Sequence, residues 1–184
     1  MNPKTEIRIH GRGGQGVAVM AEMLATAFLL EKKYATSFPL FGSERRGGPV
    51  TAFARFASMP ILEKTQIYEP SLLILFDPAL LSQANVFHGL RRDSSILVNS
   101  ALIEEKLHPN VNLVGFVDAN KIAIKKMGKA LPNTCLLGAF ASLTCWLSLD
   151  SVLECLTQYF SGKTLLLNQE CARIGFKEVK VLKV

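Results

Sequence analysis

Two hydrophobic periods alternate along the chain. EIRIH (6–10) places apolar residues at every second position, which predicts a strand with one less buried face. From Gly16 to Lys32 the period lengthens. Val17, Met20, Leu24, Ala27 and Phe28 recur three or four residues apart and predict a helix. Between Val17 and Leu30 the only charge is Glu22, so this helix has almost no polar face. It needs cover on more than one side, from tertiary packing or from a partner subunit. YATSFPLFG (34–42) reads as a short extended piece leading to the turn SERRGGP (43–49). VTAFARF (50–56) then returns to period two, with Thr51, Phe53 and Arg55 on one face.

SLLILF (71–76) is a continuous apolar run of the kind found in central parallel strands, and it ends at Asp77-Pro78. SSILVNS (94–100) and NLVGFVD (112–118) repeat that pattern, each followed by helix-compatible sequence. NKIAIKKMG (120–128) predicts a short helix closed by Gly128. Asn133 suits the cap of an apolar helix over 134–148, and Asp150 that of SVLECLTQYF (151–160). A last amphipathic helix runs from about Thr164 to Gly175, before a polar, lysine-containing strand or tail. Strands alternating with helices predict the α/β class. The expected architecture is a single three-layer α/β/α domain over 1–184, with a mostly parallel sheet and a Rossmann-like glycine loop after the first strand. No repeat, low-complexity segment or linker divides it.

Composition adds a hint of association. Of 184 residues, 49% are hydrophobic and only 20% charged, below the usual quarter. That shortage suggests an apolar face covered by another chain, and leaves a homodimer of the isolated chain open. The net charge of +6 is modest, and no run of five like charges suggests a nucleic-acid arm. Basic residues cluster locally instead, at Arg8, Arg12, Arg45, Arg46 and Arg55, then Arg91 and Arg92. Such clusters fit an anionic small molecule or an acidic partner. The N-terminus lacks the apolar stretch of a signal peptide, and the uncharged run 133–149 is too short to span a bilayer. A cytoplasmic protein without membrane or nucleic-acid partners is expected. Cys135, Cys145, Cys155 and Cys171 form no CxxC pair, which argues against zinc or iron–sulfur ligation by this chain. Three of them lie in strongly apolar stretches, as buried free thiols would.

Two motifs bear on chemistry. In GRGGQGV (11–17), Gly11, Gly13 and Gly16 satisfy GxGxxG after a strand and before a helix, with Gly14 and Gln15 between them. Glycines let a backbone approach phosphate, the free N–H groups of the helix start add positive potential, and Arg12 adds a full charge. A dinucleotide site also needs an Asp or Glu at the end of the second strand. YATSF (34–38) contains none, and Glu31 still lies on the helix, which weakens NAD or FAD binding. A packing role, in which the glycines only permit a tight turn, stays open. The second motif is FGSERRGGP (41–49), where Arg45 and Arg46 present guanidinium forks from a glycine-rich turn and Glu44 can hold one of them. A solvated basic turn is the alternative. No catalytic residue is assigned. His10, His88 and His108 have no Ser or Cys partner at a recognisable spacing, and Asp77 and Asp118 serve equally as turn and cap residues. A thiamine-diphosphate signature is absent from the sequence as well.

Together, GRGGQGV, YATSFPLFGSERRGGPVTAFARFASMPI (34–61) and LNQECARIGF (167–176) resemble the gamma subunit of the 2-oxoacid:ferredoxin (or flavodoxin) oxidoreductases. Members of that group act on pyruvate, 2-oxoglutarate, branched-chain oxoacids or indolepyruvate. The resemblance covers essentially the whole chain. It implies a non-autonomous subunit with no metal of its own, working with alpha, beta and ferredoxin-like delta subunits. Thiamine diphosphate, Mg2+ and [4Fe–4S] clusters would lie on those partners, and ferredoxin or flavodoxin would take the electrons. It also implies CoA handling by this chain. The residues that would form that site are Gly11, Arg12, Gly13, Gly14, Gln15 and Gly16 in the first loop, with Glu44, Arg45, Arg46, Gly47 and Gly48 in the second. Arg12 departs from the family, which often has a small or aromatic residue there, so it strengthens phosphate binding or faces a partner. The rivals are a stand-alone NAD- or FAD-binding domain and a purely structural scaffold subunit.

Overall fold

The computed structural model describes residues 4–40, 47–103 and 107–184. Seven strands form one sheet: β1 (Thr5–Arg12), β2 (Tyr34–Leu40), β3 (Pro49–Ala57), β4 (Leu72–Leu75), β5 (Ser94–Asn99), β6 (Val111–Val117) and β7 (Lys180–Lys183). Their spatial order is β2-β3-β1-β4-β5-β6-β7. β1, β4, β5 and β6 pair in parallel, and β3 inserts antiparallel between β1 and β2. β2 therefore points the same way as β1, and only β3 and β7 oppose the other five strands. The mostly parallel α/β reading holds on this topology.

The helices are α1 (Val17–Leu30), α2 (Ala119–Met127), α3 (Asn133–Thr144), α4 (Leu149–Leu156) and α5 (Gly162–Glu178). They share one core with the inward residues Ile7, Ile9, Leu72, Ile74 and Leu97 of the sheet. The opposite face has its own apolar core, around Leu73, Leu75, Ile96 and Val98. There the third layer consists of two short 3-10 turns, Pro78–Ser82 and Ala84–Phe87, and irregular chain. Helix-compatible sequence after β5 forms no helix among the described residues. α1 obtains its cover within the chain. Met20, Ala21, Met23, Leu24, Ala27 and Phe28 are sealed, and Phe28 stacks on Phe56 of β3 with ring centroids 3.8 Å apart.

One expectation reverses. The outward face of β1 is not the less buried one: Glu6 is 6% exposed and Arg8 is 7% exposed. Glu6 accepts from Arg55 Nε at 2.8 Å and from Arg91 Nη2 at 2.9 Å, and Arg55 is itself only 2% exposed. Arg8 donates to the carbonyl oxygens of Ile67, Val86 and His88 at 3.3, 2.8 and 2.8 Å. Charged residues lie in the interior here because Glu6 and Arg55 are ion-paired and Arg8 is hydrogen-bonded to carbonyl groups, with only Arg55 Nη1 of these side chains buried without an acceptor. Three members of the presumed anion-binding arginine clusters are thus occupied in holding irregular chain against the sheet.

Two expected caps are also corrected. Ser148, not Asp150, caps α4, its Oγ accepting from Ser151 N at 3.1 Å. Pro132 holds the cap position of α3, while Asn133 is the first helical residue and accepts from Thr134 N. α3 also stops at Thr144, short of 148, where Cys145 turns left-handed at φ 54°. Asp118 and Gly128 bound α2 as expected. Cys135, Cys155 and Cys171 are buried free thiols, and Cys145 is exposed. Burial pushes the Cys155 thiol up to about 12 and Cys171 up to about 11, as for thiols packed as apolar groups. Among the described residues no helix is long and apolar enough to cross a membrane.

α3 and α5 approach through reciprocal notches. A Cβ at Gly138 would collide with the carbonyl oxygen of Ala172, and one at Gly175 with the carbonyl oxygen of Cys135. Both obstacles are backbone, so neither can swing aside. The substitution Gly138→Ala is expected to lower the unfolding free energy by at least about 2 kcal/mol, read as a reduced urea midpoint at unchanged m-value. An unaltered midpoint would contradict the close contact.

Candidate functional site

β1 and β3 bring the two glycine motifs together. Their antiparallel register pairs Gly11 with Val50 and Arg12 with Pro49, so the loop leaving β1 meets the chain entering β3. Gly13 N donates to Gly48 O at 2.9 Å, and a Cβ on Gly13 would lie 3.3 Å from Gly47 N. Gln15 closes the first loop: its side-chain oxygen accepts from Arg12 N at 2.7 Å, and its own N–H reaches Arg12 O at 3.2 Å. Gly16 opens α1 with φ 85°, a conformation that favours glycine. Glu44, Arg45 and Arg46 lie outside the described residues.

Arg12 is 47% exposed and its Nε contacts Asp77 Oδ2 at 2.7 Å. Asp77 Oδ1 in turn accepts from Ala79 N at 3.0 Å and caps the first 3-10 turn. Asp77 is therefore both the turn residue the sequence suggested and the partner that orients Arg12. Asp118 caps α2 by accepting from Lys121 N.

Behind the glycine loop lies a cavity of about 620 Å³. Arg12, Gly13, Gly14 and the α1 residues Val17 to Val19 form one wall, with Val50 of β3 beside them. Met127, Lys129 and Leu131 bring the chain from the end of α2, and Asn133 opens α3. Phe160, Thr164, Leu167 and Asn168 complete the far side from α5 and the turn before it. Asn133 is 7% exposed, and its Nδ2 lies only 2.6 Å from where a Cβ on Gly16 would stand. Asn168 is held by two bonds, accepting from Thr134 Oγ1 at 3.1 Å and donating to Thr164 O at 2.9 Å. Asn133 was legible only as a cap candidate. Lys129 and the α5 residues carried no local signal, since folding alone brings them to the loop.

The dinucleotide geometry is broken by topology as well as by composition. A ribose-binding acid would have to end the strand beside β1, yet β3 occupies that place. At about 4.8 Å per strand, β2 sits roughly 10 Å from β1. Glu31 is engaged elsewhere, accepting from Lys33 Nζ at 3.0 Å and from Ser148 N at 2.7 Å. No carboxylate, histidine or cysteine lines the cavity among the described residues, and no group of three or more such residues there could hold a metal ion.

Fold and site together define an α/β domain whose two glycine motifs are joined beside one cavity, without the strand-end acid of a dinucleotide site among the described residues. Residues 6–178 match the family model of pyruvate ferredoxin/flavodoxin oxidoreductase. The common gamma subunit of pyruvate/ketoisovalerate oxidoreductases from Pyrococcus abyssi is 42% identical, covering 97% of this chain and 99% of that one. Pyruvate synthase subunit PorC of Methanothermobacter marburgensis is 40% identical, covering 95% and 97%. The crystal structure of pyruvate oxidoreductase subunit PORC from Thermotoga maritima superposes with a TM-score of 0.85 at 32% identity, covering 98% and 99%. The chain belongs to the pyruvate ferredoxin/flavodoxin oxidoreductase family.

His10 lies within β1, which runs two residues beyond it, as a neutral, satisfied residue. Nε2 accepts from Arg8 Nε at 3.1 Å, which leaves Nδ1 to donate to Thr51 Oγ1 at 3.3 Å. Burial, with the Arg8 charge adding to it, lowers its pKa to about 4. The depressed value means the stability His10 contributes is complete above the unfolded pKa near 6.5 and is lost as pH falls toward 4. Between those limits the wild-type chain should lose on the order of 3 kcal/mol from this group, and His10→Gln should flatten that part of the denaturation profile. An identical slope in both proteins would remove His10 from the account.

Proposed function

We propose that this chain is the gamma-type subunit of a thiamine-diphosphate-dependent 2-oxoacid:ferredoxin oxidoreductase, a single domain over 1–184 that works only within its complex. The complete assembly converts a 2-oxoacid and CoA into acyl-CoA and CO2, with ferredoxin or flavodoxin reduced. The observation that carries this reading is the end-to-end match, at 40–42% identity, to proteins named as gamma or PorC subunits. Alpha, beta and ferredoxin-like delta subunits are the proposed partners, bearing the thiamine diphosphate, its Mg2+ and the [4Fe–4S] clusters.

The proposed contribution of this chain is to hold CoA at the joined glycine loops. A phosphate suits the start of α1, whose Gly16 provides no side-chain cap for the first-turn N–H groups. The Asn133 amide nitrogen beside Gly16 adds a donor, and Arg12 stands at the loop with its guanidinium steered by Asp77. The cavity falls in the usual size range of ligand sites, and Val19, Leu131 and Phe160 offer apolar surface beside its polar end. Gly11 to Gly16 and Glu44 to Gly48 are the proposed contact segments.

Isolated, the chain should show no 2-oxoacid-dependent viologen reduction, and full activity without other subunits would overturn the proposal. In the assembled complex, replacing Arg12, Arg45 and Arg46 together by Ala should raise the KM for CoA by tenfold or more, or abolish co-purification. Lost assembly with unaltered CoA affinity would identify a scaffold. An unchanged KM with intact assembly would refute both roles.

A further inference from the structure

The sheet ends in two different edges. β2 closes one side. It carries Pro39, which has no N–H to offer a neighbour, and it packs along α1 with most of its residues half-buried. β7 closes the other side, without a proline and with every residue exposed. Val184 N donates to Asn112 O at 2.9 Å, which sets the phase of the ladder between β6 and β7. By antiparallel alternation Lys180 and Leu182 turn their peptide groups to β6, whereas Val181 and Lys183 turn theirs outward. Val181 stands opposite Gly115 on the helical face, and Leu182 opposite Val114 on the other. They are 48% and 47% exposed, so both faces are half-bare beside an open row of donors and acceptors. Such an edge accepts an added strand.

Charge supplies a second, independent observation. Lys180 and Lys183 flank the strand, and no acid lies on it. Where β6 ends, a cavity of about 460 Å³ is lined by Lys121, Lys125, Lys126 and Lys180 against Asp118 and Glu178. Some of these groups have a structural use. Lys125 and Lys126 stand in the last turn of α2, where the helix dipole favours cations, and Lys126 also pairs with Glu170 at 3.0 Å. Asp118 is engaged in capping the same helix. Lys121 stands in the first turn of α2, the end that disfavours a cation. Lys180 overlies the Phe116 ring, 5.7 Å from its centroid. Lys121, Lys180 and Lys183 have no carboxylate partner among the described residues.

We propose that β7 is the docking edge for an acidic, extended segment of a partner protein, which joins the sheet as its next strand and sets carboxylates against Lys121, Lys180 and Lys183. Such a segment gains twice. Its backbone takes up the open N–H and C=O groups of Val181 and Lys183, and its charges meet cations that have no internal partner. Its side chains alternate over the two faces, so that carboxylates reach Lys180 on one and Lys183 on the other. A second copy of this chain is a poor occupant, because it would bring two lysines of each edge strand together in a protein of net charge +6. The proposal rests on the sheet edge and its charge, and not on the function proposed above.

The test is amide-proton exchange with solvent, read residue by residue by nuclear magnetic resonance on the 15N-labelled full chain. The probe is the blocked peptide Val-Glu-Glu-Val-Glu-Glu-Val at millimolar concentration. Two controls replace every Glu by Lys, or every Val by Pro. In the free chain the Val181 and Lys183 amides should exchange fast and that of Leu182 slowly. The acidic peptide should slow Val181 and Lys183, and salt should reverse the effect. The double variant Lys180→Glu with Lys183→Glu should bind it roughly tenfold more weakly or worse. Equal slowing by the lysine peptide would refute the preference for an acidic partner. If the proline peptide binds as tightly as the acidic probe, and neither slows the two amides, the contact is ionic only and strand addition is refuted. Slowing that rises with protein concentration alone would make a second copy the occupant. Slow exchange in the free chain, or no slowing by any peptide, would overturn the proposal. The wild-type titration decides these cases without the variant.

Discussion

The contact between α3 and α5 at Gly138 and Gly175 sets the geometry on which the site depends. Each glycine receives a backbone carbonyl of the other helix, so the two axes lie closer than side chains would permit. Hydrophobic burial would hold these helices together at several spacings, but only the notched contact selects one. That spacing seats Asn168 of α5 against Thr134 of α3, where the Thr134–Asn168 hydrogen bond closes. It also carries Phe160 and Leu167 to the far side of the cavity. The wall opposite the glycine loop is thus a product of helix packing about 150 residues further along the chain.

The second determinant is the insertion of β3. A chain leaving β1 through a glycine loop and helix would, in a dinucleotide fold, return beside β1. Here it returns one strand further out, and β3 fills the gap in the antiparallel sense. The same insertion removes the position of a ribose-binding acid and brings Gly48 within hydrogen-bonding distance of Gly13. It also places Arg55 opposite Glu6 in register, which supplies the charge partner that Glu6 needs once Arg91 and the irregular chain close over that face. One topological choice therefore accounts for the lost cofactor chemistry, the joined loops and the buried ion pairs.

Sequence reasoning succeeded where the evidence was periodic and local. β1, α1, β3 and the apolar strands β4 to β6 follow from spacing alone, and Asp118 and Gly128 from their chemistry at helix ends. It failed where a residue's role is set by what folds over it. Glu6 and Arg8 alternate like an exposed face, yet they are buried because Arg55, Arg91 and three distant carbonyl groups satisfy them. Asn133 and Asp150 have equal claims to cap on composition, and only backbone geometry separates Pro132 and Ser148 as the cap positions. Half of the candidate site was visible as the glycine loop. The other half was invisible, because Lys129, Asn133, Phe160 and Asn168 belong to no common pattern before the chain folds.

The ladder between β2 and β3 has a consequence for how such a domain diversifies. Leu40 pairs with Thr51 and Pro49 pairs with Arg12, so the connecting segment is tied at both ends by strand register. A residue added within 50–57 would turn Arg55 toward the helical core and strand Glu6, because strand side chains alternate. Length changes within β3 therefore carry a folding penalty, because its register decides which of its side chains are buried. Adaptation to a different ligand or neighbour is thereby steered, along this strand, toward substitution and away from insertion or deletion.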